Sequence, residues 1–270
     1  MTAAGWSDVR SRVVARTVHA PGLFSLFCDA PGLAAATAPG QFAMVGIDGR
    51  SRPYLRRAFS VADVDRREGT VEFLVKVIGV GTACLGSLAP GEEVSLLAPL
   101  GNAFTVSDLA RGDRVAIVAG GVGVAPFPLL LRDLASRGVV ADLYFGGRSA
   151  PDLAYRGKIS TLVTGAEHDA TDDGTFGEAG RVTDLLARAL DGGARYRRIY
   201  ACGPTAMFRT LARLLDGKPA AVEFSTEAPM GCGFGVCLAC VLPRPAGGFL
   251  VSCKEGPILD PSAVDWSRCS

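Results

Sequence analysis

The chain of 270 residues has neither an excess of one charge nor a long apolar run. Lys and Arg number 28 against 27 Asp and Glu, a formal net charge of +1. So even a balance supports neither nucleic-acid binding nor attraction to an anionic membrane. No stretch approaches the roughly 18 consecutive uncharged apolar residues that a membrane-crossing helix needs. The opening Met-Thr-Ala-Ala-Gly-Trp-Ser-Asp lacks the basic segment and apolar stretch of a secretory signal, so the expected location is the cytoplasm. Histidine is scarce as well: His19 and His168 stand alone, far from any cysteine group, and read as surface or satisfied structural rings. No internal repeat and no long linker interrupts the chain.

What is present is more telling. Apolar residues make up 49% of the chain, enough to bury one large core or two medium ones. In a reducing compartment the eight cysteines argue for metal or reactive roles rather than a disulfide framework. Four of them, Cys232, Cys237, Cys240 and Cys253, follow the spacing C-x4-C-x2-C-x12-C. Gly231, Gly233 and Gly235 are threaded among the first three. A tight loop that turns backbone N–H groups toward thiolate and sulfide needs such residues, because glycine reaches those backbone angles without a Cβ clash. The spacing of the first three cysteines is that of a plant-type [2Fe–2S] loop, whereas zinc knuckles more often present two separated C-x2-C pairs. An iron–sulfur cluster is the expected occupant, with structural zinc or inert cysteines as the other readings. Cys28, Cys84 and Cys269 have no ligand spacing: the first two read as packed thiols, and the last has no assignable role.

Three zones follow one another. Short β-rich runs at 12–20, 24–29, 41–47, 58–62, 71–77 and 94–97 are punctuated by Ala-Pro-Gly at 30–32, 38–40 and 89–91, which predicts an antiparallel barrel over residues 1–110. Apolar strands at 115–119, 140–145, 162–164, 199–201 and 221–224 alternate with helical stretches near 125–136, 183–190 and 205–215. That alternation predicts a parallel α/β domain over 111–222. Residues 223–270 hold the cysteine loop and one expected hairpin, 240–243 with 249–253. The run Asp63-Val-Asp-Arg-Arg-Glu68 reads most simply as a solvated turn.

Each zone carries a candidate site. In Arg56-Arg-Ala-Phe-Ser-Val61, alternation puts Arg57, Phe59 and Val61 on one face of a strand and Ala58 and Ser60 on the other. An arginine beside an aromatic ring and a hydroxyl suits a flavin, although alone it also reads as a strand-edge arginine beside a core phenylalanine. Lys76-Val-Ile-Gly-Val-Gly-Thr82 runs a strand into glycines and a helix start, where free N–H groups suit a pyrophosphate or simply make an ordinary turn. Gly120-Gly121-Val-Gly123-Val-Ala-Pro126 joins a strand to a helix in a turn that a dinucleotide can approach closely. Cys202-Gly203-Pro204 ends a strand where open α/β sheets hold ligands, and a small thiol there can touch a nicotinamide ring or be merely a buried cysteine. Arg148, following Gly146-Gly147, is placed to touch a ribose or a 2′-phosphate.

In this order the motifs resemble the ferredoxin reductase superfamily, and within it the electron-transfer subunits of class 1B dihydroorotate dehydrogenases. Arg57-Ala58-Phe59-Ser60 resembles the flavin motif, Gly120 to Pro126 the pyridine-nucleotide loop, and Cys202-Gly203-Pro204 with Met207 the nicotinamide-side motif. The resemblance takes in Asp173-Gly-Thr, Gly180-Arg-Val-Thr-Asp184 and the approach Ser225-Thr-Glu227-Ala-Pro-Met230. It implies a flavin-binding antiparallel barrel, a parallel α/β nucleotide-binding domain and a small C-terminal [2Fe–2S] domain. Oxygenase reductases of the superfamily can carry a full ferredoxin domain of roughly 90 residues, longer than the tail available here.

By that resemblance Arg57 and Ser60 hold FAD, Gly81 and Thr82 its pyrophosphate with Lys76 nearby, and Gly121, Gly123, Cys202, Gly203 and Pro204 the NAD side. Glu227 would lie near the flavin where cluster and nicotinamide domains meet, or else cap a loop. Cys202 and Glu227 are the candidate catalytic residues. A nicotinamide moves two electrons as hydride and a [2Fe–2S] centre moves one, so a flavin is needed between them. The implied partner is an FMN-containing subunit that oxidises dihydroorotate in pyrimidine biosynthesis, assembled as a heterotetramer. No acid–base constellation for that oxidation is evident in this chain, in keeping with a separate catalytic subunit. Other readings are an NAD(P)H reductase serving a ferredoxin or an oxygenase, a flavin subunit of a hydrogenase or sulfide-linked complex, and a redox-sensing binding protein.

Overall fold

A computed structural model of the chain describes residues 5–47 and 54–269. Residues 1–4 and 270, which the expected domain limits include, lie outside the described residues. The β-rich first zone forms β1 (Ser7–Ala20), β2 (Leu23–Asp29), β3 (Phe42–Gly46), β4 (Arg57–Ser60), β5 (Asp63–Asp65), β6 (Thr70–Lys76) and β7 (Glu93–Leu100), with short helices α1 (Pro31–Ala36) and α2 (Val80–Gly86). All pairings are antiparallel, in the order β4-β3-β7-β1-β2-β6-β5. Gly22, at φ +76°, turns β1 back onto β2. Strand alternation decides what each face meets. On β6, Val71, Phe73 and Val75 enter the barrel core with Leu26, Leu85 and Leu96, whereas Leu74 joins a core shared with the second domain.

The second domain contains β8 (Arg114–Gly120), α3 (Phe127–Ser136), β9 (Val140–Gly147), α4 (Arg156–Ile159), β10 (Glu167–Thr171), β11 (Glu178–Ala179), α5 (Val182–Asp191), β12 (Arg198–Cys202), α6 (Thr205–Leu215) and β13 (Ala221–Ser225). The tail adds β14 (Val241–Pro243), β15 (Phe249–Val251), α7 (Ser252–Glu255) and β16 (Ile258–Leu259). The second sheet runs β11-β10-β9-β8-β12-β13-β16, parallel except for β16. Val115 to Ala119 of β8 are wholly buried, as a central parallel strand covered on both faces requires. Strand order reverses between β8 and β12, so a crevice opens at the carboxyl ends of these two strands. Among the described residues no helix is long and apolar enough to cross a membrane.

Two expectations change. The strand anticipated at 162–164 is instead β10 at Glu167–Thr171, and Leu162 closes a 3-10 turn. The charged run Glu167-His168-Asp169 is accommodated in a strand because Arg156 pairs with both acids and His168 stacks on Tyr144 at 4.6 Å. The turn anticipated over 63–68 begins only at Asp65, whose carboxylate accepts the N–H groups of Arg67 and Glu68. Asp63 is buried in β5 and held by Arg132.

The third zone is stitched to both of the others. β16 extends the nucleotide sheet beside β13. The Asn102 side chain donates to Ile258 O at 2.7 Å and accepts Ile258 N–H at 2.9 Å, joining the end of the barrel to the tail. Arg209 on α6 donates to the backbone oxygens of Trp266 and Cys269.

Candidate redox site

At the strand-order reversal, Gly120 ends β8 and Cys202 ends β12, one residue out of register across the ladder. A Cβ at Gly120 would lie 2.8 Å from Pro204 Cδ and 3.1 Å from Met207 Sδ, and one at Gly123 would overlap the Cys202 carbonyl. These glycines let the two strand ends close on one another. Gly121 differs: at φ +55° it faces open space, on the wall of a cleft of about 510 Å³. That cleft extends past Gly146, Gly147 and Arg148 on the β9 side to Asp172 beyond β10 and Thr183 on α5. The Thr183 hydroxyl is buried with no hydrogen-bond partner among the described residues, as expected of a group that a ligand completes. An elongated crevice with glycine walls and an unsatisfied hydroxyl fits a dinucleotide. Lys76 also belongs to this cleft, where its Nζ meets Asp152 at 2.5 Å.

Burial pushes the Cys202 thiol up to about 12, the Glu227 carboxylate adds to the rise, and a hydrogen bond with Ser225 offsets part of it. Cys202 is therefore a neutral, polarizable thiol and not a nucleophile. Glu227 is exposed, and with Gly203 and Pro204 it lines a second groove, of about 650 Å³, between α6 and the tail.

On the barrel, Arg57 lies against Gly81 so closely that a Cβ there would overlap its guanidinium. The motif on β4 and the helix α2 therefore meet although 24 residues separate Arg57 from Gly81. Ala58, Phe59 and Ser60 follow on the same strand, all half-buried. Thr82 is committed to its own turn, its hydroxyl accepting the N–H groups of Ile78 and Gly79. Ile78, Val80, Tyr54 and Leu55 stand out as large exposed apolar side chains on this rim, an arrangement suited to covering by a flat aromatic ligand.

The cysteine loop has its own logic. Gly233 and Gly235 take φ values of +84° and +88°, and the turns they permit aim N–H groups at sulfur. Val236 and Cys237 N–H lie 3.3 and 3.4 Å from Cys232 Sγ, Gly235 N–H lies 3.1 Å from Cys253 Sγ, and Cys253 N–H lies 3.4 Å from Cys240 Sγ. Burial raises the Cys232 thiol, but the N–H groups of Cys237, Phe234 and Val236 outweigh it and hold it down at about 6. Among the described residues no three Cys, His, Asp or Glu side chains converge as ligands of one ion do. The thiols pair instead, Cys232 with Cys237 and Cys240 with Cys253. Two pairs fit a dinuclear cluster, which takes two thiolates at each iron. A Cβ at Gly233 would overlap Met44 and come within 3.1 Å of Leu100, so the loop presses directly on the barrel.

A family model described as the iron-sulfur cluster binding domain of dihydroorotate dehydrogenase B matches residues 227–265. Models for an oxidoreductase FAD-binding domain and an oxidoreductase NAD-binding domain match 20–104 and 117–213. The electron transfer subunit of dihydroorotate dehydrogenase B (NAD(+)) from Bacillus caldolyticus is 38% identical over 82% of this chain and 84% of its own length. Its counterpart from Desulforamulus reducens is 33% identical over 95% and 97%. The chain belongs to this family of electron transfer subunits. It is an oxidoreductase built from FAD-binding, NAD-binding and iron–sulfur cluster-binding domains. The same fold occurs in a solved NADH-dependent reduced ferredoxin-NADP oxidoreductase, with a TM-score of 0.84 and 24% identity over 95% of this chain and 90% of the other. It occurs too in a ferredoxin reductase of carbazole 1,9a-dioxygenase, with a TM-score of 0.69 and 24% identity over 81% and 69%.

Sequence reasoning missed Thr183, Asp152 and Asp172. Thr183 lay within a segment singled out by resemblance, Gly180 to Asp184, without a role. Asp152 and Asp172 gave no signal of their own, since aspartates after strands are common in loops, and Asp172 lies just before the Asp173-Gly-Thr run.

Proposed function

We propose that this electron transfer subunit takes electrons singly from an FMN-containing subunit that oxidises dihydroorotate and delivers them in pairs to NAD+. Cys232, Cys237, Cys240 and Cys253 hold the [2Fe–2S] cluster, with two thiolates on each iron. Arg57 and Ser60 hold FAD, with Ala58 and Phe59 beside it and the backbone at Gly81 and Thr82 near its pyrophosphate. Gly120, Gly121, Gly203, Pro204 and Thr183 receive the dinucleotide, and Lys76 stands at its cleft. Gly123 serves the same site by letting the β12 end approach. FAD supplies the exchange between single electrons and hydride. The chain's own residues orient the two ligands and keep water away, while the neutral Cys202 packs beside the nicotinamide and takes no part in proton transfer.

The observation that carries this reading is the pressing of the cysteine loop onto Met44 and Leu100 of the barrel. It supports a short route from cluster to flavin within one chain. The outer side of that loop leaves Phe234, Val236 and Leu238 exposed, with Val241 and Phe249 exposed on the hairpin. This apolar rim supports docking of the catalytic subunit around the cluster, in a cytoplasmic heterotetramer of two subunits of each kind. Glu227 lines the groove between α6 and the tail with its charge close to Cys202, which supports a role for it where the cluster and nicotinamide domains meet.

Anaerobic co-expression with a dihydroorotate-oxidising partner tests the reading. Dihydroorotate-dependent NAD+ reduction should require this chain and vanish with Cys237→Ala. A preparation with FAD and two irons per chain that stays inert with the partner would shift the function to another redox complex.

A further inference from the structure

The barrel and the nucleotide domain are joined by a row of side chains that ends at the nucleotide cleft. On β6, Glu72, Leu74 and Lys76 share the face turned away from the barrel core. Opposite them, in the helical segment after β9, stand Asp152, Tyr155 and Lys158, spaced by three residues and so on one side of that segment. Lys76 Nζ meets Asp152 Oδ1 at 2.5 Å. Glu72 Oε1 accepts the Tyr155 hydroxyl at 3.1 Å, and Glu72 Oε2 pairs with Lys158. Leu74 lies between the two pairs in a core with Leu130 and Leu143. The polarity reverses along the row, from cation on β6 at one end to anion on β6 at the other. A slip of one domain along the other therefore brings like charges together.

The Glu72 end is heavily braced. Glu72 is only 2% exposed, and Ser25 Oγ donates to its Oε1 at 2.6 Å. A serine hydroxyl has one hydrogen, so His19 Nε2, 2.8 Å from Ser25 Oγ, is the donor in that contact. Asp63 binds Arg132 through Nε and Nη2 at 3.0 Å each and stands 3.7 Å from Lys158 Nζ. Two carboxylates from the barrel thus meet two cations from the nucleotide domain. Electron transfer as proposed above gives these groups no role, and Glu72 and Lys158 do not line the cleft.

We infer that Glu72 and Lys158 are positioning residues for hydride exchange: their pair, buried on the Glu72 side and half-buried at Lys158, sets the separation between the flavin on the barrel and the dinucleotide in the cleft. The inference rests on the placement of those two ligands proposed above. The flavin binds the barrel and the dinucleotide binds mainly the second domain, Lys76 being the barrel residue on the described wall of the cleft, so a loosened Glu72–Lys158 pair leaves both affinities largely in place. Transfer between them suffers, because a displacement of about 1 Å at a reacting centre can cost on the order of a hundredfold in rate.

The test uses the full chain loaded with FAD and cluster and compares it with Lys158→Met, Lys158→Arg, Glu72→Gln and the double variant Glu72→Gln/Lys158→Met. The Lys158 side chain is 30% exposed, so its methionine variant is the one least exposed to folding failure. Three quantities are read: flavin reduction by saturating NADH in rapid mixing, the long-wavelength absorbance of the nicotinamide–flavin complex, and the dissociation constant of NAD+. The expected result for Lys158→Met is flavin reduction slowed roughly tenfold, a weakened absorbance band, and NAD+ affinity and flavin content within about twofold of the parent. Lys158→Arg should restore most of the rate and the band, and the double variant should be no slower than the slower single variant. An unchanged rate and band in Lys158→Met overturn the inference, even if its melting temperature falls. Weakened NAD+ binding with an unchanged rate at saturation also overturns it, and that pattern identifies the ligand placement as the fault.

Discussion

The nucleotide cleft and the cysteine loop are both rich in glycine, yet glycine answers opposite demands in the two places. At the cleft, Gly120, Gly123 and Gly203 are short of space: each Cβ would run into the facing strand end or Met207. In the loop, Gly233 and Gly235 have positive φ angles that turn N–H groups toward thiol sulfur, and Gly233 is in addition short of space against Met44. One set lets two pieces of backbone approach; the other makes the backbone a hydrogen-bond donor array. The same residue letter therefore reports close packing in one region and, in the other, backbone direction and electrostatics with close packing added at Gly233.

The sharpest way to break the comparison is to remove one of the four cysteines proposed to hold the cluster. Cys240→Ala should abolish iron and sulfide binding and partner-dependent NAD+ reduction, while NADH oxidation by an artificial acceptor at the flavin persists. Metal analysis alongside both assays checks this, and joint loss of the two activities would show that loop and cleft are not separable. Gly123→Ala should destabilise the flavin-loaded chain by about 2 kcal/mol through overpacking, read from denaturant unfolding. Gly121→Ala should cost only about 1 kcal/mol, because its Cβ meets nothing and only the left-handed backbone resists. Equal losses would mean that space is not the limiting factor at the cleft. Val236→Asp should weaken binding of the catalytic partner roughly tenfold without altering cluster content, as measured by titration of the purified subunits.

Near neutral pH the smallest effect concerns Cys202. Its thiol titrates at about 12 in the folded chain against 9.0 when free, so it stays neutral and should impose no pH dependence on hydride transfer between about pH 6 and 8. The unfolded thiol loses its proton first, so this group's stability contribution is complete below pH 9.0 and is lost as the pH rises toward 12. Parallel unfolding curves of Cys202→Ala and the parent across that range would refute the assignment.

Much of the fold was legible because punctuation and periodicity change along the chain. Proline–glycine breaks marked the barrel, and apolar strands such as Val115–Ala119 marked the parallel sheet. The four cysteines were legible because their spacing is itself the chemistry. β10 was displaced because the apolar letters at 162–164 outweighed a strand whose charged side chains are neutralised by Arg156, a partner in another element. β16 is only two residues long and belongs to the sheet through a partner more than thirty residues earlier. Glu72 read as one polar position in a strand, since Lys158 is 86 residues away. Local sequence encodes which face a residue takes, not which distant charge awaits it.

The stitching of the tail to both neighbours, through β16 on the sheet and Asn102 at the end of the barrel, has a kinetic consequence. A redox centre on a loose tether must swing to reach its acceptor, and its turnover slows in a viscous solvent. Here the loop rests on Met44 with no arm to swing, so electron passage from cluster to flavin should proceed at the same rate in glycerol solutions as in water, with viscosity felt only in the arrival and departure of NAD+ and of the partner.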